Sequence, residues 1–183
     1  MSSFLGKTGL SRGLRNNNPG NLVITSSAWL GKIPVPQNTD SNRKFEQFKE
    51  VKYGIRAMII DIIGDIGKGK NTLRKLISEY APPSENHTNN YINVVSKSLG
   101  ISPDSIIKQV DFTFILKISR AIITHENGAD GSLIADSDIL DAIDILDRKE
   151  LNGVVISQKK KLRFNVIIIP LLLFFYSVFT ITL

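Results

Sequence analysis

The chain contains no cysteine among its 183 residues. Disulfide bonds and thiolate zinc sites are therefore excluded, and cysteine usage says nothing about the redox compartment. There are two histidines, His87 and His125, too few and too far apart in sequence to suggest a metal site. No Ser-His-Asp set stands out. The segment GKGKN, 67–71, lacks both the preceding strand and the GK[ST] ending of a phosphate-cradling loop, so neither nucleotide chemistry nor a cofactor is expected. The opening MSSFLGKTGLSRG lacks an apolar core of signal-peptide length. A concentrated basic surface is missing as well. The net charge of +6 comes from 23 Lys and Arg against 17 Asp and Glu, but Lys159, Lys160, Lys161 and Arg163 form one collar, and without these four only 19 remain. Nucleic-acid-binding domains carry a larger and more clustered excess, so no nucleic-acid partner is expected.

What the chain does contain divides at its end. From Phe164 to Leu183 the sequence FNVIIIPLLLFFYSVFTITL holds no ionisable side chain but Tyr176. That length matches a helix crossing a bilayer core, and Pro170 is tolerable in a spanning helix. The collar KKKLR before it suits anionic headgroups and a positive-inside orientation. The expected organisation is a folded domain over 1–157, a basic juxtamembrane linker over 158–163 and a transmembrane anchor over 164–183. A lipid membrane with anionic headgroups is then a partner, and the protein is a single-pass membrane protein anchored by its C-terminus.

Within the domain the hydrophobic period changes along the chain. NLVIT and RKFEQF, separated by the proline-punctuated SSAWLGKIPVPQNTDSN, read as two short strands of a small β-hairpin. From Val51 to Ile66 the isoleucines recur at helical spacing, and GKGKN ends that helix. Thr72 caps a short helix that stops at Pro82 and Pro83. Thr88 caps the next, with Gly100 terminating it. Ser102, Pro103 and Asp104 signal another turn or two ending near Val110, Asp111 opens a long helix that stops at Gly128, and Ser137 caps a last one. The fold class is α+β, mainly helical with a small β element.

Two carboxylates are placed where chemistry is possible. Glu126, in AIITHENGAD, ends an apolar helix just where the chain breaks into a glycine-containing loop. A carboxyl denied water holds its proton more tightly, as a general acid working near neutral pH requires. Glu85, in YAPPSENHTNNY, lies between two helices, where its charge also favours the helix N-terminus that follows. A third feature is RGLRNNNPGNL, 12–22. Asparagine and glycine tolerate left-handed backbone angles and asparagine side chains bond to nearby backbone, so this string is first a rigid turn ahead of a strand. Its amides also suit the acetamido and hydroxyl groups of glycans.

Several motifs together, RGLRNNNPGNL, AWLG, FEQF, YGIRA, YAPPSEN and Tyr91, resemble a family of small, often virion-associated phage proteins that look like peptidoglycan-degrading enzymes of the lysozyme-like superfamily. The resemblance covers roughly Ser11 to Gly131. A second similarity is to flagellar-type cell-wall glucosaminidases, whose features are followed in order by Asn21-Leu22, Trp29 with Gly31, Phe45 with Phe48, Ala57, Tyr80-Ala81 and Tyr91. The helix with the catalytic Glu, which opens that order, is missing here, and AIITHENG would supply it after the other pieces if the order were circularly permuted.

The resemblance implies a lysozyme-like fold and cleavage of peptidoglycan glycan strands, of lytic transglycosylase or muramidase type, in the host wall during entry. Glu126 is the expected catalytic acid. Tyr80, Tyr91 and Glu85 complete the expected catalytic set, while Asn16, Asn17, Asn18, Asn21, Trp29 and Asn86 are expected to bind substrate, Trp29 by stacking on a sugar face. Lytic transglycosylases manage with one Glu; should a second carboxylate be needed, Asp130, Asp40 and Glu85 are available. A phage particle with a lipid membrane, and other virion proteins as partners, would give the anchor a purpose. The rival expectation is a non-catalytic virion membrane structural protein or glycan-binding adaptor on the same scaffold, and a third is a host-membrane protein acting in lysis.

Overall fold

The computed structural model describes residues 2–82 and 88–147. Among these residues six α-helices carry the fold: α1 Arg12–Arg15, α2 Val51–Gly67, α3 Leu73–Tyr80, α4 Thr88–Leu99, α5 Phe112–Asn127 and α6 Asp136–Asp144. Short 3-10 turns occupy Val35–Gln37 and Gly128–Leu133.

The local chemistry explains where the longer helices begin and end. Thr72 accepts from the Lys75 N–H at 3.2 Å to start α3, and Asp111 accepts from the Phe114 N–H at 2.8 Å to start α5. Gly128, at φ 55°, ends α5 in a conformation that side chains with a Cβ adopt poorly. The isoleucine stripe of α2 is its buried face, with Ile55, Ile59, Ile62 and Ile63 all nearly inaccessible. It meets Leu73, Leu76 and Ile77 of α3, Ile118 and Ile122 of α5 and Ile139 and Ala142 of α6 in one continuous core, to which Tyr91, Ile92 and Val95 of α4 also belong. Each such side chain contributes roughly 1.5–3 kcal/mol by leaving water. Asp111→Ala, which removes the cap of α5 without touching this core, is expected to lower unfolding free energy by about 1 kcal/mol; urea titration at constant slope measures it.

Sequence expectations about the fold are corrected in two respects, local structure and the membrane. The β-hairpin does not form. Over the first fifty residues the antiparallel pairing is reduced to the isolated bridges Val23–Phe45 and Lys32–Phe48. The reason is competition from side chains. Asn18 bonds through its amide nitrogen to the carbonyls of Leu22 and Glu46, and the Glu46 carboxylate takes the Thr25 N–H at 3.0 Å, so groups that would build a ladder are already engaged. Pro34 and Pro36 remove two further donors. Similarly, the turns expected after Ser102 do not become a helix. Ile107 N–H bonds to the Asn71 carbonyl and Arg74 forks onto Asp104, which hold that segment extended against the start of α3.

The second correction concerns the membrane. Among the described residues no helix is long and apolar enough to cross a bilayer, so the expected transmembrane helix and the single-pass C-terminal localisation are not supported. The linker 158–163 and the segment 164–183 named for them lie outside the described residues.

Candidate functional site

The C-terminal turn of α5 is clamped to the asparagine-rich turn more than a hundred residues earlier. Asn127, buried, donates to the Pro19 carbonyl at 2.7 Å and accepts from the Ser11 hydroxyl at 2.7 Å. The Ser11 N–H in turn donates to Asp130 at 2.6 Å. This clamp fixes Glu126, half-buried on the last turn of α5, against Asn21, whose amide nitrogen donates to the Glu126 Oε2 at 2.9 Å. Asn21 takes φ 50°, a left-handed angle that asparagine tolerates and that turns its side chain toward α5.

Two tyrosines close in on the same carboxyl. The Tyr80 hydroxyl at the end of α3 donates to the Gly20 carbonyl. Position 20 must be glycine for this approach, because a Cβ there would lie 2.3 Å from the Tyr80 oxygen. Tyr91, only 1% exposed on α4, stacks its ring on His125 at 3.6 Å between centroids. The Tyr91 hydroxyl lies within electrostatic reach of Tyr80 and Glu126 and closes no regular hydrogen bond among the described residues. Burial raises both phenols well above their ordinary range, and the charge of Glu126 adds to this, joined by Asp61 at Tyr80. Both remain protonated and act as hydrogen-bond donors. His125 is shifted downward by burial, against the pull of Glu126, so the imidazole stacked on Tyr91 is neutral at physiological pH.

Two of these residues, Asn21 and Tyr80, line an open cleft of about 300 Å³ together with Gly20, Val23, Asp61, Lys68 and others. Asp61, on α2, was not singled out by sequence reasoning. Burial, followed by the charge of Asp65, pushes its carboxyl up to about 6. The available signal was a pair of aspartates four residues apart inside a helix otherwise rich in isoleucine.

The structure thus brings Glu126, Tyr80, Tyr91 and Asn21 together. Trp29, half-buried, sits elsewhere, in a second groove of about 510 Å³ lined also by Ala28, Leu30, Arg56 and Ile60, nearer the N-terminal end of α2. Asn16, Asn17 and Asn18 are at most 3% exposed and their amides are turned inward. Asn16 donates to Asp40 and accepts from Gln47, Asn17 bonds to Ser3, Phe4, Phe48 and Lys49, and Asn18 bonds to Leu22 and Glu46. Their place is in the frame that holds the site, not in its opening, because every amide is already matched by a protein partner. Glu85 and Asn86 lie outside the described residues.

The other candidate second carboxylates are likewise engaged. Asp40 is gripped by both nitrogens of the Arg12 fork at 2.7 Å and by Asn16 at 2.9 Å. Burial alone would raise its carboxyl, but the bonds from Arg12, Asn16 and the Phe45 N–H hold it well below the usual carboxylate range. Asp130 belongs to the α5 clamp. Among the described residues no group of three or more His, Asp and Glu is arranged to hold a metal ion.

No protein-family model matches the chain. Over 124 residues, 65% of its length, it is 37% identical to "Protein P5" of Pseudoalteromonas phage PM2, of which the match covers 72%.

Proposed function

This chain belongs to the family of protein P5 of Pseudoalteromonas phage PM2, and from that premise we propose that it is a phage peptidoglycan-degrading enzyme that breaks a glycosidic bond in the host cell wall. The observation that carries the reading is the convergence of Glu126, Asn21, Tyr80 and Tyr91, from four separate parts of the chain, beside a cleft that Asn21 and Tyr80 line. Glycoside cleavage needs a carboxyl beside the leaving oxygen and donors that orient a sugar. Glu126 is the proton donor. Asn21 fixes its carboxyl, and the buried Tyr91 hydroxyl, facing the same group, helps to position it. Tyr80 anchors the turn that carries Asn21. The groove at Trp29 extends the surface along α2 and supplies an aromatic face for a further sugar of the strand.

The test is direct. The purified chain is incubated with isolated sacculi, and soluble muropeptides are separated by chromatography. Release of glycan fragments is expected. If the protein sediments with the sacculi and nothing is released, cleavage is overturned in favour of a glycan-binding structural protein.

A further inference from the structure

We propose that Asp61 is a second catalytic carboxyl of this cleft, the base that takes a proton from the attacking water while Glu126 acts as acid, so that the bond is hydrolysed and no transglycosylation occurs. This rests on the glycosidase reading above and deepens it.

Placement is the first argument. Asp61 lines the cleft together with Asn21 and Tyr80, the residues that connect this cleft to Glu126. The buried Tyr80 hydroxyl feels the charge of Glu126 and, next, that of Asp61, so carboxyls from α5 and α2 both face it. The charges that act on Asp61 are those of Asp65 and Lys68 on its own helix and Glu79 on α3, and Tyr80 faces it from the same helix α3. Asp61 lines the cleft and Glu126 is bonded to Asn21 of its wall, so the two carboxyls have separate surroundings, as an acid and a base require.

Asp61 is also available. Neighbouring carboxylates are tied: Asp65 to Lys68 at 3.1 Å, Glu79 to Lys70 at 2.5 Å. Asp61 has neither a hydrogen bond nor a salt bridge among the described residues. It is half-buried in the wall of the cleft. An untied, half-buried carboxyl lining a cleft points to a polar ligand in that space.

The step balances. Glu126 delivers its proton to the glycosidic oxygen as the bond from that oxygen to the anomeric carbon breaks. Water forms the new bond to the same carbon from the other side, and its proton passes to Asp61. Solvent exchange then returns Asp61 to its carboxylate and Glu126 to its acid. Because the carboxyl of Asp61 is held up to about 6 by burial and by Asp65, it can accept a proton only above that pH. Activity should therefore have an acid limb near pH 6.

Wild-type protein and Asp61→Asn are compared on sacculi across pH 4.5–8, with the ends of the released fragments determined by mass spectrometry and reduction. The wild type should give reducing ends and an acid limb near 6; the variant should lose about 10²-fold or more in rate together with that limb, while Asp61→Glu should recover part of it. Fragments ending in intramolecular anhydro sugars from the wild type would overturn the proposal whatever the variant does. So would a folded Asp61→Asn protein with the wild-type rate and profile. A wild type that releases nothing removes the glycosidase reading itself, and this inference with it.

Discussion

Glu126→Gln is expected to lower muropeptide release by about 10²- to 10⁴-fold, which corresponds to roughly 3–5 kcal/mol of transition-state stabilisation. The substitution keeps the shape of the side chain and leaves an amide oxygen where Oε2 now accepts from Asn21 at 2.9 Å. What it removes is the transferable proton. Stability should therefore change little, and thermal melting of the two proteins should coincide within a few degrees. Binding to sacculi should persist as well, since the Trp29 groove is untouched. Glu126→Ala is the poorer test, because it strands the Asn21 amide beside a void and confounds catalysis with local disorder. If Glu126→Gln clears sacculi at the wild-type rate, the acid lies elsewhere. A rate lowered with fragment ends unchanged is the result that identifies Glu126 as the proton donor.

The helices were legible because their signals are local. Isoleucines at helical spacing announce α2, and the pair Asp111 and Gly128 brackets α5 at both ends. The place of Glu126, on the last turn of an apolar helix, was legible for the same reason. The hairpin was misread because its residues have strand-like patterning while their hydrogen-bonding groups are engaged by Asn18 and Glu46, a choice made by tertiary contacts that no short window contains. Asp61 escaped notice on similar grounds. Its helix is set by the apolar face, and only the arrival of Asn21 and Tyr80 from distant parts of the chain makes the other side of that helix one wall of a cleft. The asparagine string lay between these cases: its rigid turn was readable from residue type, whereas the direction in which each amide points depends on Phe48, Glu46 and Asp40, about thirty residues further on.

That direction sets the largest expected effect on stability. Asn17→Ala should cost about 3–6 kcal/mol, a substantial part of the 5–15 kcal/mol that holds a typical domain together. The side chain accepts from the Phe4 N–H at 2.8 Å and donates to the Ser3 hydroxyl at 3.0 Å and to the Phe48 and Lys49 carbonyls, each at 3.1 Å. Truncation opens a void at a fully buried position and leaves the Phe48 carbonyl without this donor. The backbone adds to the loss, because residue 17 sits at φ 49°, where alanine is disfavoured by about 1–2 kcal/mol. Asn17→Gly separates the two contributions: it loses the same hydrogen bonds but tolerates the angle, so it should be the more stable of the two variants by about that difference. Behind the turn lies α2, where a Cβ on Gly54 would come 2.0 Å from the Asn17 carbonyl oxygen. Gly54→Ala must therefore push the same turn away from the helix. Since both substitutions disturb one contact, their combined loss in denaturant titration should fall short of the sum of the single losses. Full additivity would mean that α2 and the asparagine turn are energetically independent, and that Asn21 is not held in place from this side.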